Sequence, residues 1–411
     1  MKKMRITALL LLTGISLALM ENRGSGNPIL EKAKSEKDAD RAISLYWQYF
    51  DSGERDSSFA GAADDFADLL TENHRRADLC RLGERLSQLI PPPASPLNTI
   101  AYSLAQGDTA LEKALQFSQL AVKAQKENCL LPPPPDRSQK AWMERQNSRL
   151  AYYLDTEGFV LLRKGEAKKA LEVLLKADSL LTDSDSEVYL HIGQTYWKLG
   201  DPAKAMQWAI RSRYFLGDRE NPELEKLTRD VYIRLAGSEE GLDVYLSNRL
   251  DDVKKEEYRD LVARKLDIPA KDFALKDLQG RVVKRSDYLG KILLVDFWAT
   301  WCAPCKRELP LLQAEYPAWK EKGIELLAIS TDRELEKVEP FIRENRYSFP
   351  VLFSDNTARD YDVSGIPCLY VIDSNGVIRY RHLGYRPDVV EILNLQIAAL
   401  AQDQADSQIG K

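Results

Sequence analysis

The chain has 411 residues, 44% of them apolar, with 63 acidic against 58 basic side chains and a formal net charge of −5. That length exceeds one ordinary core, so two or three domains are expected. Positive and negative charges are interspersed, so nothing points to nucleic acid or to a solvating acidic tail. Five cysteines, an odd and low count, do not make a disulfide-stapled miniprotein.

Lys2, Lys3 and Arg5 precede an uncharged, mostly apolar run from Ile6 to Met20. The run is shorter than the roughly 20 residues of a membrane-spanning helix. Residues 1–22 are therefore expected to be a secretory signal peptide or an N-terminal anchor, placing the rest of the chain outside the cytoplasm, in the periplasm or cell envelope. No small-x-small site follows Ala18 and no cysteine follows the apolar run, which leaves cleavage open.

Residues 28–264 read as helical. Pro91-Pro92-Pro93 with Pro96, and Pro132 to Pro135, are expected to interrupt the helices. Gly158, Leu161, Gly165, Ala170, Leu174 and Ala177 are echoed by Gly193, Tyr196, Gly200, Ala205, Ala209 and Ser212, each 35 residues on. Small residues let two helices approach, and Gly165 and Gly200 supply the turn between them. This segment resembles two degenerate tetratricopeptide repeats, whose period is about 34 residues. Pro96 to Gln125 and Pro222 to Asp251 are candidate neighbours in the stack. Such a module implies a surface for a protein ligand. The three histidines, His74, His191 and His382, are scattered and read as core or surface residues.

Near Lys265 the texture changes, and residues 266–402 read as a mixed sheet flanked by helices. A hairpin spans Phe273 to Val283. Ile292 to Phe297 and Ile324 to Ile329 suit buried strands. Helices are expected from Ala303 to Lys322 and from Glu334 to Asn345. Short strands follow at Val351 to Phe353 and Cys368 to Ile372, with an Asp373-Ser374-Asn375-Gly376 turn into Val377 to His382. A final helix is expected from Pro387 to about Ala401, then a disordered tail over 403–411. The fold class is thus an all-α repeat region followed by an α/β domain.

The chemistry lies at Trp301-Cys302-Ala303-Pro304-Cys305, where a buried strand hands over to a helix. Two thiols at that spacing can close a disulfide with little backbone movement. Unpaired N–H groups and the positive dipole end favour a thiolate there. Cys302 is expected to be exposed and to attack, and Cys305 to be more buried and to resolve the mixed disulfide. Half of a zinc site is the weaker reading, because no second cysteine pair stands at ligand spacing.

The segment from Val295 to Lys306 resembles the active site of thioredoxin. The Asp-Leu-x-Gly turn after Phe273 and Glu308-Leu309-Pro310 resemble the extracytoplasmic TlpA/ResA-like family. The resemblance covers about Ile268 to Leu400. It implies a thioredoxin fold, thiol–disulfide exchange and no metal or organic cofactor. It further implies that Pro367 is cis and that the Ile366 backbone pairs with substrate, beside a groove shaped by Trp301. Asp296 stands where thioredoxin has a buried proton-accepting carboxylate, and Glu308 matches a carboxylate of the ResA-like group. Cys368, after the expected cis-proline, departs from the family's usual threonine and reads as an apolar filler or a third redox thiol near the pair. Cys80 and Cys129 are left as thiols or as a bridge. The function expected is reduction of protein disulfides with electrons from a membrane thiol donor. The alternatives are a binding or assembly scaffold with a subsidiary redox domain, and a peroxiredoxin-like peroxidase.

Overall fold

The computed structural model describes residues 27–409 apart from positions 54, 136, 182, 183 and 218. The targeting segment read over residues 1–22 therefore lies outside the described residues. Among the described residues no helix is long and apolar enough to cross a membrane. Contacts divide the chain into two compact units, Met1–Ala121 and Val122–Lys411. Helices give way to strands between Ala263 and Ile268. The compact units divide elsewhere, inside the helix that spans Leu111–Asn128.

The first unit contains α1 (Pro28–Ser35), α2 (Ala39–Asp51), α3 (Phe59–Glu72), α4 (Arg76–Ser87), α5 (Ala94–Gln106) and the start of α6 (Leu111–Asn128). Asn27 caps α1 by accepting from the N–H groups of Ile29 and Leu30. The core gathers on Phe66, with Tyr46 stacked at 4.9 Å and Trp47 edge-on at 5.1 Å. Pro96 lies inside the first turn of α5 rather than in the break before it. A first-turn N–H has no acceptor within the helix, so proline is tolerated there.

In the second unit α7 (Gln139–Arg163), α8 (Ala167–Leu180), α9 (Ser186–Lys198), α10 (Pro202–Leu216), α11 (Pro222–Ala236) and α12 (Leu242–Ala263) follow one another. The 35-residue echo corresponds to a repeated contact. A Cβ on Gly158 would lie 2.5 Å from Leu174 Cγ, and one on Gly193 would lie 3.3 Å from the Ala205 carbonyl oxygen. Gly165 and Gly200 both turn the chain at positive φ, +84° and +79°.

The sheet has the order β1 (Ile268–Pro269), β8 (Val377–Leu383), β7 (Cys368–Ile372), β4 (Leu293–Trp298), β5 (Glu325–Ser330), β6 (Val351–Phe353), and a separate hairpin joins β2 (Ala274–Lys276) to β3 (Val282–Lys284). β4, β5 and β6 are parallel, whereas β7 runs antiparallel to both β4 and β8. The helices of this domain are α13 (Ala303–Glu321), α14 (Val338–Glu344), α15 (Thr357–Asp360) and α16 (Val389–Ile409). The last of these continues well past Ala401, so the stretch read as a tail from residue 403 is helical as far as Ile409. Each face of the sheet has its own core, one around Leu294, Trp298, Leu309 and Leu369, the other around Val295, Phe297, Leu327 and Tyr370.

Candidate active site

β4 is buried along its whole length. Alternation puts Leu294, Asp296 and Trp298 on one face. That face holds Cys302, Cys305 and Leu309. The strand ends at Trp298, and Cys302 becomes the N-cap of α13, its Sγ accepting from the Cys305 N–H at 3.2 Å. Cys302 and Cys305 are joined as a disulfide. Pro304 sits in the first turn, where its missing N–H costs nothing.

The expectation of an exposed Cys302 is corrected. The residue is 4% exposed, packed among the apolar side chains of that core, while its neighbour Trp301 is 69% exposed. On the other side, Cys302 Sγ lies 3.7 Å from the Ile366 carbonyl oxygen, and the Ile366–Pro367 peptide is cis. Cys302 and the Ile366–Pro367 peptide are therefore brought together, with Trp301 exposed next to Cys302 along the chain.

Beneath the cysteines, Asp296 and Glu308 are both 1% exposed. Neither oxygen of Asp296, nor Glu308 Oε1, has a hydrogen-bond partner among the described residues. Burial pushes the Asp296 carboxyl well above the ordinary carboxylate range. Burial, then the negative charge of Asp296, pushes Glu308 up as well. Two interacting acids in an apolar interior resist ionising together, so the pair can hold a shared proton and release it late.

Cys368 is not beside the pair. In the β4–β7 register it lies opposite Phe297, and it shares that residue's core on the other face of the sheet. A residue one position from the cis-proline is directed away because strand neighbours alternate faces. It is fully buried, and burial pushes its thiol up to about 11. Those surroundings suit the filler reading. Cys80 and Cys129 are free thiols.

One contributor was missed by sequence reasoning. Asp332 is buried and grips the turn before Cys302: its Oδ2 accepts from the Thr300 N–H at 2.9 Å and its Oδ1 from Thr300 Oγ1 at 2.6 Å. Ser330 Oγ, at the end of β5, donates to the same carboxylate at 2.8 Å. The available signal was a Ser-x-Asp at the C-terminal end of a buried parallel strand, where loops that carry chemistry gather.

A cavity of about 1230 Å³ opens elsewhere in this unit, lined by Arg211, Tyr245, Tyr380 and Arg381 among others, and neither active-site cysteine lines it.

Residues 267–381 match the model of the AhpC/TSA family. The chain is 38% identical over 112 residues to the thiol-disulfide oxidoreductase ResA of Geobacillus kaustophilus, covering 27% of this chain and 64% of that protein. It is 33% identical over 117 residues to ResA of Bacillus cereus, covering 28% and 68% respectively. The chain thus spans less than two thirds of the first relative and slightly more than two thirds of the second. Among solved structures, it is similar to a thiol:disulfide interchange protein from Bacteroides sp. at 31% identity, covering 30% of this chain and 84% of that one, with a TM-score of 0.28. StoA from Bacillus subtilis matches at 24% identity over 31% of this chain and 97% of that one, also with a TM-score of 0.28.

Proposed function

Because this chain belongs, through its C-terminal domain, to the ResA-like family of thioredoxin-fold thiol-disulfide oxidoreductases, we propose that it reduces protein disulfides through Cys302 and Cys305. The observation that carries this is the disulfide at the start of α13 facing the carbonyl of a cis-proline loop. In the reduced pair, the Cys302 thiolate attacks one sulfur of a substrate disulfide and expels the other as a thiolate. The helix N-terminus stabilises the attacking sulfur. Cys305 passes its proton toward the Asp296–Glu308 pair and attacks Cys302 Sγ. That step releases the substrate as a dithiol and leaves the Cys302–Cys305 disulfide, so two electrons have moved. A membrane dithiol then returns two electrons and two protons. The Ile366 backbone pairs with the extended substrate, and Trp301 shapes its groove.

The site of action is outside the cytoplasm, in keeping with the charged and apolar N-terminal run. The helical hairpins of α7–α10, read as degenerate tetratricopeptide repeats, serve as a surface for a protein partner. The test is reduction of an insulin-type disulfide by wild type and by Cys302→Ser. Wild type turns over and the variant falls to background; activity that survives the substitution refutes the assignment. Cys305→Ser is expected to accumulate mixed disulfides with its substrate. A redox potential near that of strong oxidants would sink the direction proposed. Peroxide reduction is the second reading, favoured by the AhpC/TSA match. It requires rapid peroxide turnover by the same cysteines, which a peroxide-consumption assay measures directly.

A further inference from the structure

The cis-proline loop is held from an unexpected direction. Ser364, two residues before Ile366, accepts at its Oγ from Arg381 Nη2 at 2.9 Å. Arg381 projects from β8 and is gripped by Glu144 of α7, Nη1 to Oε1 at 3.0 Å and Nη2 to Oε2 at 2.8 Å. The two side chains are only 16% and 19% exposed. One helical turn before Glu144, on the same face of α7, Lys140 Nζ lies 3.9 Å from Asp362 Oδ2. The start of α7 thus faces the segment that leads into Ile366 and Pro367.

We propose that Glu144 is a positioning residue for the redox site: through Arg381 and Ser364 it fixes the loop whose Ile366 backbone meets the substrate polypeptide. The inference rests on the disulfide-reductase reading above. A two-pronged carboxylate–guanidinium pair sets direction as well as distance, which a single contact does not. With Glu144 in place, the Arg381 guanidinium has one placement and Ser364 follows it. Without Glu144, a largely buried cation loses its counter-charge and keeps only the weaker contacts to Ser364 and the Cys368 thiol, and the loop loses its brace. Several other contacts tie this part of the chain to the thioredoxin-fold domain: Arg137 Nη1, just before α7, also reaches the Ser364 carbonyl at 3.5 Å, whereas two contacts from later helices lie away from the loop. Tyr214 donates to Asp388 at 2.8 Å and Tyr258 to Glu391 at 2.7 Å. Both end at or on α16 rather than on the loop. The Glu144 pair therefore acts on substrate geometry, and the Tyr258 contact acts on attachment alone.

The reaction separates these roles. A polypeptide disulfide pairs with the loop backbone, whereas a small aromatic disulfide reagent reaches Cys302 without that pairing. In the full-length chain, Glu144→Ala is expected to raise KM for a polypeptide disulfide about tenfold, as for a misplaced binding edge, while the rate with the small disulfide stays within about twofold of wild type. Glu144→Gln keeps one acceptor and gives a smaller rise. Tyr258→Phe leaves both substrates unaffected. Amide exchange at Ser364 to Ile366 is expected to quicken in Glu144→Ala without any need for turnover. Unchanged KM with unchanged exchange overturns the inference. So does a parallel loss with both disulfides, which would mark Glu144 as structural. A wild type that reduces neither disulfide overturns the reductase reading instead, and the exchange measurement still decides the brace.

Discussion

Asp155 and His191, on α7 and α9, are buried together, with His191 Nδ1 at 2.8 and 3.0 Å from the two oxygens of Asp155 and Phe159 stacked on the imidazole at 4.3 Å. Asp296 and Glu308 are buried as deeply, yet three of their four oxygens have no partner among the described residues. The first pair joins opposite charges across two helices, where its role is to hold the packing. The second pair brings two acids together on the cysteine-bearing side of the sheet, where burial holds both carboxyls well above their ordinary range and stability is given up as pH rises. Buried titratable groups thus mark a structural element when matched and a reactive one when left unmatched.

The largest expected effect tests the matched pair. Asp155→Asn leaves a buried imidazolium without its counter-charge and is expected to destabilise the second unit by about 3–5 kcal/mol in thermal or denaturant unfolding. Burial alone would lower the His191 pKa, but the charge and hydrogen bond of Asp155, with the charges of Glu187 and Glu223, together make the net shift upward. The pair's stabilisation is therefore complete below the unfolded histidine value, about 6.5, and is lost as pH rises through the folded value. The advantage of wild type over Asp155→Asn should shrink as pH rises above neutrality. A constant gap would place the stabilisation elsewhere.

The next effect is kinetic. Asp296→Asn removes the group proposed above to accept the Cys305 proton and is expected to slow resolution of a mixed disulfide about 10²-fold in single-turnover experiments, with formation of the mixed disulfide nearly unchanged. An unaffected resolution rate would move the proton transfer to another group and dissolve the contrast between the pairs.

A smaller effect of opposite sign concerns stability. Both carboxyls are held above their unfolded values. What they contribute to folding is present below the unfolded range, about pH 4, and is lost as pH rises through the folded values. Asp296→Asn and Glu308→Gln are therefore each expected to melt above wild type at pH 8, by about 1–3 kcal/mol, with the gap closing toward pH 4. A functional variant more stable than its parent distinguishes this pair from Asp155–His191.

The smallest effect tests how tightly the helical half is matched in volume. Gly158→Ala drives a methyl against Leu174 and should cost about 1–2 kcal/mol, more than Gly193→Ala, whose nearest contacts begin at 3.3 Å. Equal costs would mean that Leu174 yields to the added methyl and that the two helix contacts of the 35-residue echo are matched alike.

Much of the fold was legible because it is local. Apolar runs at Leu293–Trp298 and Glu325–Ser330 are strands, and the Asp373–Gly376 turn closes a hairpin. The Gly158 and Gly193 echoes mark the close helix contacts. The site was legible where one segment carries it: two cysteines around the start of α13, and Asp296 six residues before the first of them. Asp332 escaped because its partner Thr300 lies on a different strand–loop connection. Cys368 was misplaced relative to the pair because nearness to Pro367 along the chain says nothing about which face of a strand is used.

The sequence by itself determined the two thiols, their place at a helix start and the helical character of residues 28–264, since each follows from spacing over a few residues, while the cis-proline loop came from the family resemblance of the Gly365-Ile366-Pro367 segment. Only the tertiary structure decided that Cys302 is buried, that Glu308 comes within reach of the charge of Asp296, that Cys368 faces away, and that Glu144 reaches Arg381 across 237 positions of chain. Those contacts depend on how separate elements exclude water from one another. Local spacing carries no record of that choice until the helices and the sheet are packed.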